Sequence, residues 1–184
     1  KFPVYKLRNY IYSSNHDINE KPVKELNLKL NETELKPGKS ELNNIISDTS
    51  KETIAIFTFA TGSKCYDETW WNTMYSKLLA TFPNYNIIEV LPVENVSQIN
   101  FKAPTFYSKD IREIAAFIAN TKLFVGADSG MMHLACTTET AVIGLFSVTD
   151  ETKYGPFGKN KFAINTNKNS IDQCIEMIEK ILKK

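Results

Sequence analysis

Apolar residues are spaced in two different patterns along the chain from about residue 53 onward. Short continuous apolar runs are typical of strands buried on both faces of a sheet. Between them lie longer segments whose apolar residues recur three or four positions apart, as on one face of a helix. Because these strands alternate with helices of about 10–15 residues, the pattern predicts a doubly wound parallel α/β sheet. The predicted strand segments read TIAIFTFA, YNIIEVL, PTFY, KLFVGA, AVIGLF and KFAI.

The predicted helices have recognisable starts and apolar faces. Asp67 precedes a segment with Trp71, Met74 and Leu78 at helical spacing, so it is the expected N-cap of that helix. The chain closes with an amphipathic segment. The predicted helices read DETWWNTMYSKLLATF, SKDIREIAAFIAN, SGMMHLACT and SIDQCIEMIEKILKK.

The N-terminal part of the chain differs from the rest in its pattern. The pattern divides the chain into a leader over residues 1–50 and a Rossmann-like domain over residues 51–184. Within the leader, residues 1–15 mix apolar and basic side chains at roughly helical spacing. Residues 16–38 are polar and are expected to be irregular, and a short helix capped by Ser40 should follow them.

Composition and charge narrow the functional class. The chain has 184 residues, of which 42% are apolar and 23% charged, as in ordinary globular proteins. Its formal net charge is +1 without a basic cluster, which argues against nucleic-acid binding. No apolar run approaches the roughly 20 residues of a membrane span. Three scattered cysteines without a CxxC pair favour a reducing, cytoplasmic compartment and argue against a zinc site.

One stretch, FVGADSGMMHLA at residues 124–135, holds an Asp, a Ser and a His within six positions. A serine hydrolase of the G-x-S-x-G type would place glycines two residues to either side of the serine, and its histidine on a distant segment. Around Ser129 the glycines stand three residues before and one after, and His133 lies one turn along the same helix. The hydrolase interpretation therefore does not fit.

An anion site fits this stretch better. Asp128 or Ser129 can cap the helix that starts here, and Gly130 leaves room for a ligand to approach the backbone. The helix dipole favours a phosphate, to which His133 can donate, while Asp128 is better suited to accept hydrogen bonds from sugar hydroxyls. The alternative stays open that Asp128 is only a cap and His133 only a half-buried side chain.

The same stretch, with the apolar strand after it and the loop containing TD and YGPFG, resembles the C-terminal domain of the ADP-heptose:lipopolysaccharide heptosyltransferases, glycosyltransferase family 9. FATGSKCYDETWW is similar to the family's lysine-bearing stretch after the first strand, and EVLPVEN to its segment with a glutamate after the second. The resemblance covers roughly residues 50–165. The chain departs from the family pattern in CTTETAV, which lacks the usual Gly and Pro, and at Ser147-Val148, where Gly-Pro is common.

The resemblance implies the donor-binding half of a GT-B enzyme. Residues 1–50 would then be a linker helix and irregular leader, with residues 1–15 as the helix that joins the two halves, and residues 51–184 the nucleotide-sugar-binding domain. Such an enzyme transfers a heptose-like sugar, with inversion and without a metal or cofactor, from ADP-heptose or another nucleoside diphosphate-sugar to lipopolysaccharide or another glycan. It implies a further N-terminal domain that carries the general base, with Asp128 as a weak local substitute. The aromatic and basic leader leaves open a peripheral contact with the inner face of the membrane, where a lipid-linked acceptor would reside.

Residue by residue, the resemblance implies a catalytic set of Lys64, His133 and Asp128. Lys64 would neutralise the diphosphate, His133 would assist at the phosphates, and Asp128 would hold sugar hydroxyls. The remaining donor contacts implied are backbone N–H groups at Gly130, the ribose at Glu94, the adenine near Lys109, and hydroxyl contacts from Thr61, Ser63 and Ser129.

Simpler interpretations of single residues stay open, as do two other classes of protein. Lys64 would then be a solvated loop lysine and Glu94 a surface acid, while Thr149 and Asp150 would only shape a turn. The chain could bind a nucleotide-sugar without catalysing transfer. It could also be a flavodoxin-like regulatory domain that is phosphorylated at Asp128 in the presence of magnesium.

Overall fold

The computed structural model describes residues 25–183, in which six strands form one fully parallel sheet. The strands are β1 (Glu52–Phe57), β2 (Tyr85–Val90), β3 (Thr105–Phe106), β4 (Leu123–Ala127), β5 (Ala141–Phe146) and β6 (Lys161–Asn165). Their order is β3-β2-β1-β4-β5-β6. The chain therefore winds outward from β1 in one direction and from β4 in the other, which confirms the doubly wound α/β prediction. Open sheets of this kind bind ligands beyond the carboxyl ends of the strands at that reversal.

Helices cover both faces of the sheet. They are α1 (Glu32–Ile45), α2 (Glu68–Thr81), α3 (Ile111–Ile118), α4 (Gly130–Ala135), α5 (Glu151–Tyr154) and α6 (Ile171–Leu182), with a 3₁₀ turn at Gly62–Lys64. The predicted cap of α2 is confirmed, since the Asp67 carboxylate accepts a hydrogen bond from the Trp70 N–H at 2.8 Å. Asp150 caps α5 inside the loop that the sequence pattern marked as turn-rich.

Two apolar cores lie on opposite faces of the sheet, because successive strand residues point to opposite sides. Ile54 and Ile56 of β1 pack into the core formed with α2 and α6, where Trp71 is fully buried. Ala55 and Phe57 pack into the other core, formed with α1, α3 and α4. The continuous apolar runs of the sequence thus have the burial that was predicted for them.

The bounds of helix α1 differ from the prediction that residues 16–38 are irregular and that a helix follows at Ser40. The segment before residue 38 is not irregular throughout, because α1 begins at Glu32 and its cap is Asn31, in a capping box with Glu34, rather than Ser40. The polar sequence was misleading because only Gly38 and Leu42 of this helix are buried.

Helix α1 packs onto α3. The guanidinium of Arg112 donates from Nε and Nη2 to the two carboxylate oxygens of Glu34, at 2.5 and 3.0 Å. Gly38 lies against the backbone of Ala116. The predicted linker helix over residues 1–15 lies outside the described residues, and the division of the chain at residue 50 stays a prediction.

Candidate functional site

A cleft of about 650 Å³ opens at the carboxyl edge of the sheet, beside the reversal between β1 and β4. Its volume lies in the range of ligand sites, roughly 300–1,000 Å³. It is lined by residues from the segments after β1 and β2, from the start of α3 and from α4. Seven of the nine predicted site residues line it: Thr61, Lys64, Glu94, Lys109, Ser129, Gly130 and His133. Ser63 and Asp128 do not, so the structure brings most but not all of the predicted set together.

The start of α4 forms one side of the cleft. Ser129 is the N-cap, and its hydroxyl accepts a hydrogen bond from the Met132 N–H at 3.2 Å. The choice between Asp128 and Ser129 as cap is thereby settled for Ser129. Gly130 is exposed, and a Cβ atom at this position would meet no other atom within 4 Å. The first turn of α4 thus presents open space and free backbone N–H groups to the cleft.

Lys64 approaches this turn from the segment after β1. Gly62, at φ +63°, adopts the left-handed conformation that suits glycine, and the turn it forms carries Lys64 to the cleft. The Nζ atom of Lys64 lies 3.6 Å from Oδ2 of Asp128, and the lysine side chain is 30% exposed. The simple interpretation of Lys64 as a fully solvated loop lysine therefore does not apply.

Asp128 lies behind the cleft rather than in its lining. It is only 7% exposed, and its Oδ2 atom accepts a hydrogen bond from the Thr149 hydroxyl at 2.7 Å. Thr149 thus connects the loop after β5 to the carboxylate at the end of β4. One carboxylate oxygen contacts both Thr149 and Lys64, which ties together the loops that follow β1, β4 and β5.

His133 lies one turn into α4, half-buried at the side of the cleft. Burial lowers the pKa of His133 below its ordinary value, the nearby Asp128 carboxylate opposes that shift, and the Lys64 ammonium adds to it. The lowered pKa therefore favours the neutral imidazole near pH 7. A neutral imidazole can donate one hydrogen bond to an anion and can take up a proton when negative charge arrives.

The rest of the cleft is mostly apolar. Phe57, Leu91 and Ile114 contribute to its wall, and Leu26 adds to it from the segment that precedes α1. Glu94 and Lys109 lie at the exposed rim. The cleft thus combines an apolar wall for a flat, uncharged group with a polar end for an anion.

The comparisons with known proteins agree with this geometry. The profile of glycosyltransferase family 9 (heptosyltransferase) matches residues 108–183, from the start of α3 to the end of α6. Residues 108–183 are therefore similar to the heptosyltransferases of family 9. No curated protein sequence matches the chain significantly.

Three solved structures share the fold of this chain. A family 9 glycosyltransferase from Veillonella parvula has a TM-score of 0.74 at 14% identity over 90% of this chain and 56% of its own. E. coli ADP-heptose lps heptosyltransferase II matches with a TM-score of 0.65 at 12% sequence identity, over 88% of this chain and 55% of its own length. E. coli heptosyltransferase WaaC with ADP matches with a TM-score of 0.58 at 18% sequence identity, over 78% of this chain and 48% of its own length. The chain therefore spans about half the length of the solved relatives that it matches.

Glu89 is a buried residue near the cleft that the sequence predictions missed. It lies in β2, fully buried, and its carboxylate accepts hydrogen bonds from the hydroxyls of Thr58 and Ser97. Those hydroxyls in turn accept from the N–H groups of Gln98 and Ile99. Burial raises the pKa of Glu89, and the two hydroxyls partly offset that shift. The available signal was the single charge inside the apolar run YNIIEVL.

This network holds the loop after β2 against the end of β1. The loop carries Val93 and Glu94 to the cleft, while the segment after β1 carries Lys64. Glu89 is therefore placed to fix two walls of the cleft relative to each other without lining it.

Metal-binding clusters and membrane-spanning helices are not found among the described residues. Within residues 25–183, no group of three or more His, Cys, Asp or Glu side chains is arranged to hold a metal ion. No helix within that range is both long enough and apolar enough to cross a membrane. Cys136 and Cys174 are buried free thiols whose pKa values burial raises to about 11.

Proposed function

We propose that this chain is the donor-binding half of an inverting, metal-independent glycosyltransferase. It would serve the transfer of a heptose-like sugar from a nucleoside diphosphate-sugar to lipopolysaccharide or another glycan. The observation that carries the proposal is the convergence of Lys64, Gly130 and His133 on one cleft at the carboxyl edge of the sheet. The presence of ADP in the solved E. coli heptosyltransferase WaaC supports an adenine nucleotide as the first ligand to test.

The chemical task at this cleft is to stabilise a leaving diphosphate. As the bond between the anomeric carbon and the diphosphate breaks, negative charge grows on the phosphate oxygens. The Lys64 ammonium, the N–H groups at the start of α4 and the His133 imidazole are the donors that would share that charge. Thr61 and Ser129, which line the cleft, would add hydroxyl contacts around the phosphates. In this proposal Lys64 takes the part that a metal cation has in other transferases.

The other donor contacts follow from the shape of the cleft. The apolar wall suits the base, Lys109 lies at the rim beside it, and Glu94 would accept hydrogen bonds from the ribose hydroxyls. Asp128 would accept from sugar hydroxyls through Oδ1, since no donor among the described residues bonds that oxygen. The base that takes the acceptor's proton would lie on the further N-terminal domain. The reaction would take place in the cytoplasm, with contact to the inner face of the membrane if the acceptor is lipid-linked.

Gly130→Val should weaken nucleotide binding without unfolding the protein. A Cβ atom here meets no protein atom within 4 Å, and the valine side chain would project into the space proposed for the phosphates. We expect ADP affinity, measured by titration calorimetry without magnesium, to fall by more than about tenfold. The melting temperature should change by less than a few degrees, because valine and glycine differ by only about 0.5 kcal/mol in helix propensity.

The ligand controls for this titration separate the competing functions. AMP, which lacks the second phosphate, should bind more weakly than ADP to the unmodified chain. Unchanged ADP binding in the Gly130 variant would contradict the proposal. Magnesium-dependent phosphorylation of Asp128 by a small phosphodonor would instead identify a regulatory domain.

Nucleotide-sugar binding should take up a proton at His133. Because burial holds the pKa of the free imidazole low, the phosphates of a bound ligand raise it and favour the charged form. Affinity for ADP-glucose, whose phosphates do not titrate near neutrality, should therefore rise several-fold as the pH falls from about 8 to about 6. His133→Gln keeps a hydrogen-bond donor but cannot titrate, so its affinity should stay flat over the same range. A pH dependence that persists in this variant would place the proton elsewhere.

A further inference from the structure

We propose that Asp128 acts as a counter-charge to Lys64 that weakens binding of the nucleoside diphosphate product more than binding of the donor. This inference rests on the proposed function and adds to it a device for selectivity and product release. A carboxylate beside a phosphate site is otherwise unexpected, because like charges repel.

The first step of the argument is the ion pair itself. Nζ of Lys64 and Oδ2 of Asp128 are 3.6 Å apart, and the carboxylate side chain is 9% exposed. The Thr149 hydroxyl donates to the same oxygen and fixes the carboxylate in this position. Water therefore screens this negative charge only weakly.

The second step is the charge balance of the cleft. The negative charge of Asp128 offsets the positive charge of Lys64, and the negative charge of Glu94 offsets that of Lys109 at the rim. Burial favours the neutral form of His133. The charged side chains at the site thus sum to about zero. The cleft attracts a diphosphate through directed donors rather than through an excess of positive charge.

The third step is the difference between the two ligands. The diphosphate of a nucleotide-sugar is esterified at both ends and carries two negative charges. The product has a free terminal phosphate whose second ionisation lies near pH 6, so at neutral pH it carries one charge more. A fixed carboxylate next to the site therefore destabilises the bound product more than the bound donor.

The test replaces Asp128 by asparagine, which keeps the size of the side chain and its acceptor for Thr149. At about pH 8, ADP should bind about tenfold more tightly to Asp128→Asn than to the unmodified chain, and ADP-glucose about threefold more tightly. Titration calorimetry with both ligands gives the two ratios. Asp128→Ser is a second neutral variant and should give the same order of effects if asparagine disturbs folding.

The matched control is Asp150→Asn. Asp150 is an exposed acid two residues along from Val148 whose role is to cap α5, and asparagine caps helices equally well. This variant makes the same change in charge at a residue that neither lines the cleft nor pairs with Lys64, so both affinities should stay within about twofold of the unmodified chain.

Three results would overturn the inference. If Asp128 only contacts the sugar, the asparagine variant binds ADP as before and ADP-glucose more weakly. If both ligands gain equally, the carboxylate does not discriminate between them. If the unmodified chain binds neither ligand, the proposed function fails and this inference fails with it, whereas either of the first two results overturns the inference alone.

Discussion

ADP binding should weaken about thirtyfold when Lys64 is replaced by methionine. Methionine keeps the length and apolar stem of the side chain but removes the ammonium that lies next to the start of α4. Hydrogen bonds to charged groups contribute about 1.5–3 kcal/mol, and loss of one at a partly buried site corresponds to roughly 10–150-fold in affinity. The variant also leaves the buried carboxylate of Asp128 without its cation, which adds repulsion toward the phosphates.

A matched surface variant controls for the loss of a positive charge as such. Lys36 lies on α1 with a 78% exposed side chain, in an ion pair with Glu32. Lys36→Met should leave ADP affinity within about twofold, because exposed ion pairs contribute little and distant charges are screened. Equal effects of the two substitutions would show that Lys64 acts only through net charge and would contradict its placement at the phosphates.

The free energy of unfolding should fall by about 3 kcal/mol when Gly38 is replaced by valine. A Cβ atom at this position would lie 2.7 Å from the carbonyl carbon and oxygen of Ala116 and 2.9 Å from the nitrogen of Phe117. These are backbone atoms of α3, so the clash cannot be relieved by a side-chain rotation. Helix α1 would have to move away from α3, and overpacking of this kind costs typically 1–3 kcal/mol, occasionally more.

Urea unfolding followed by circular dichroism measures this loss, and Lys39→Val is its control. Lys39 is the next residue of α1 and is exposed. There valine should cost only about 0.5 kcal/mol through its lower helix propensity. If the two variants unfold at the same urea concentration, then α1 does not pack on α3 as described.

The sequence predicts those parts of the fold in which the residues that are apolar in the local pattern are also the residues that become buried. The runs that became β1, β4 and β5 are apolar on both faces, and a strand in the middle of a parallel sheet is buried on both faces. The Asp67 cap was predictable for the same reason, since it depends only on the next three residues. Most candidate site residues gathered in one cleft because each follows a strand and parallel strands end at a common edge.

The parts that sequence did not predict depend on contacts between distant segments. The N-terminal half of helix α1 was missed because the buried side of the helix consists of a glycine and one leucine, which give no amphipathic signal there. Glu89 lies in a strand, where a lone acid has no local partner that would indicate its role. The contact of Thr149 with Asp128 joins loops 21 residues apart and depends on how both loops close over the sheet edge.

The packing of α1 on α3 has a practical consequence for where the domain can be cut. Expression of a piece starting at residue 51, as the change in sequence pattern suggests, would remove the cover over Phe117 and Ile118 and expose part of the second core to water. Such a piece would be prone to aggregate, and it would also lack Leu26 from the wall of the cleft. Recombinant versions should therefore retain the chain from residue 25 or earlier.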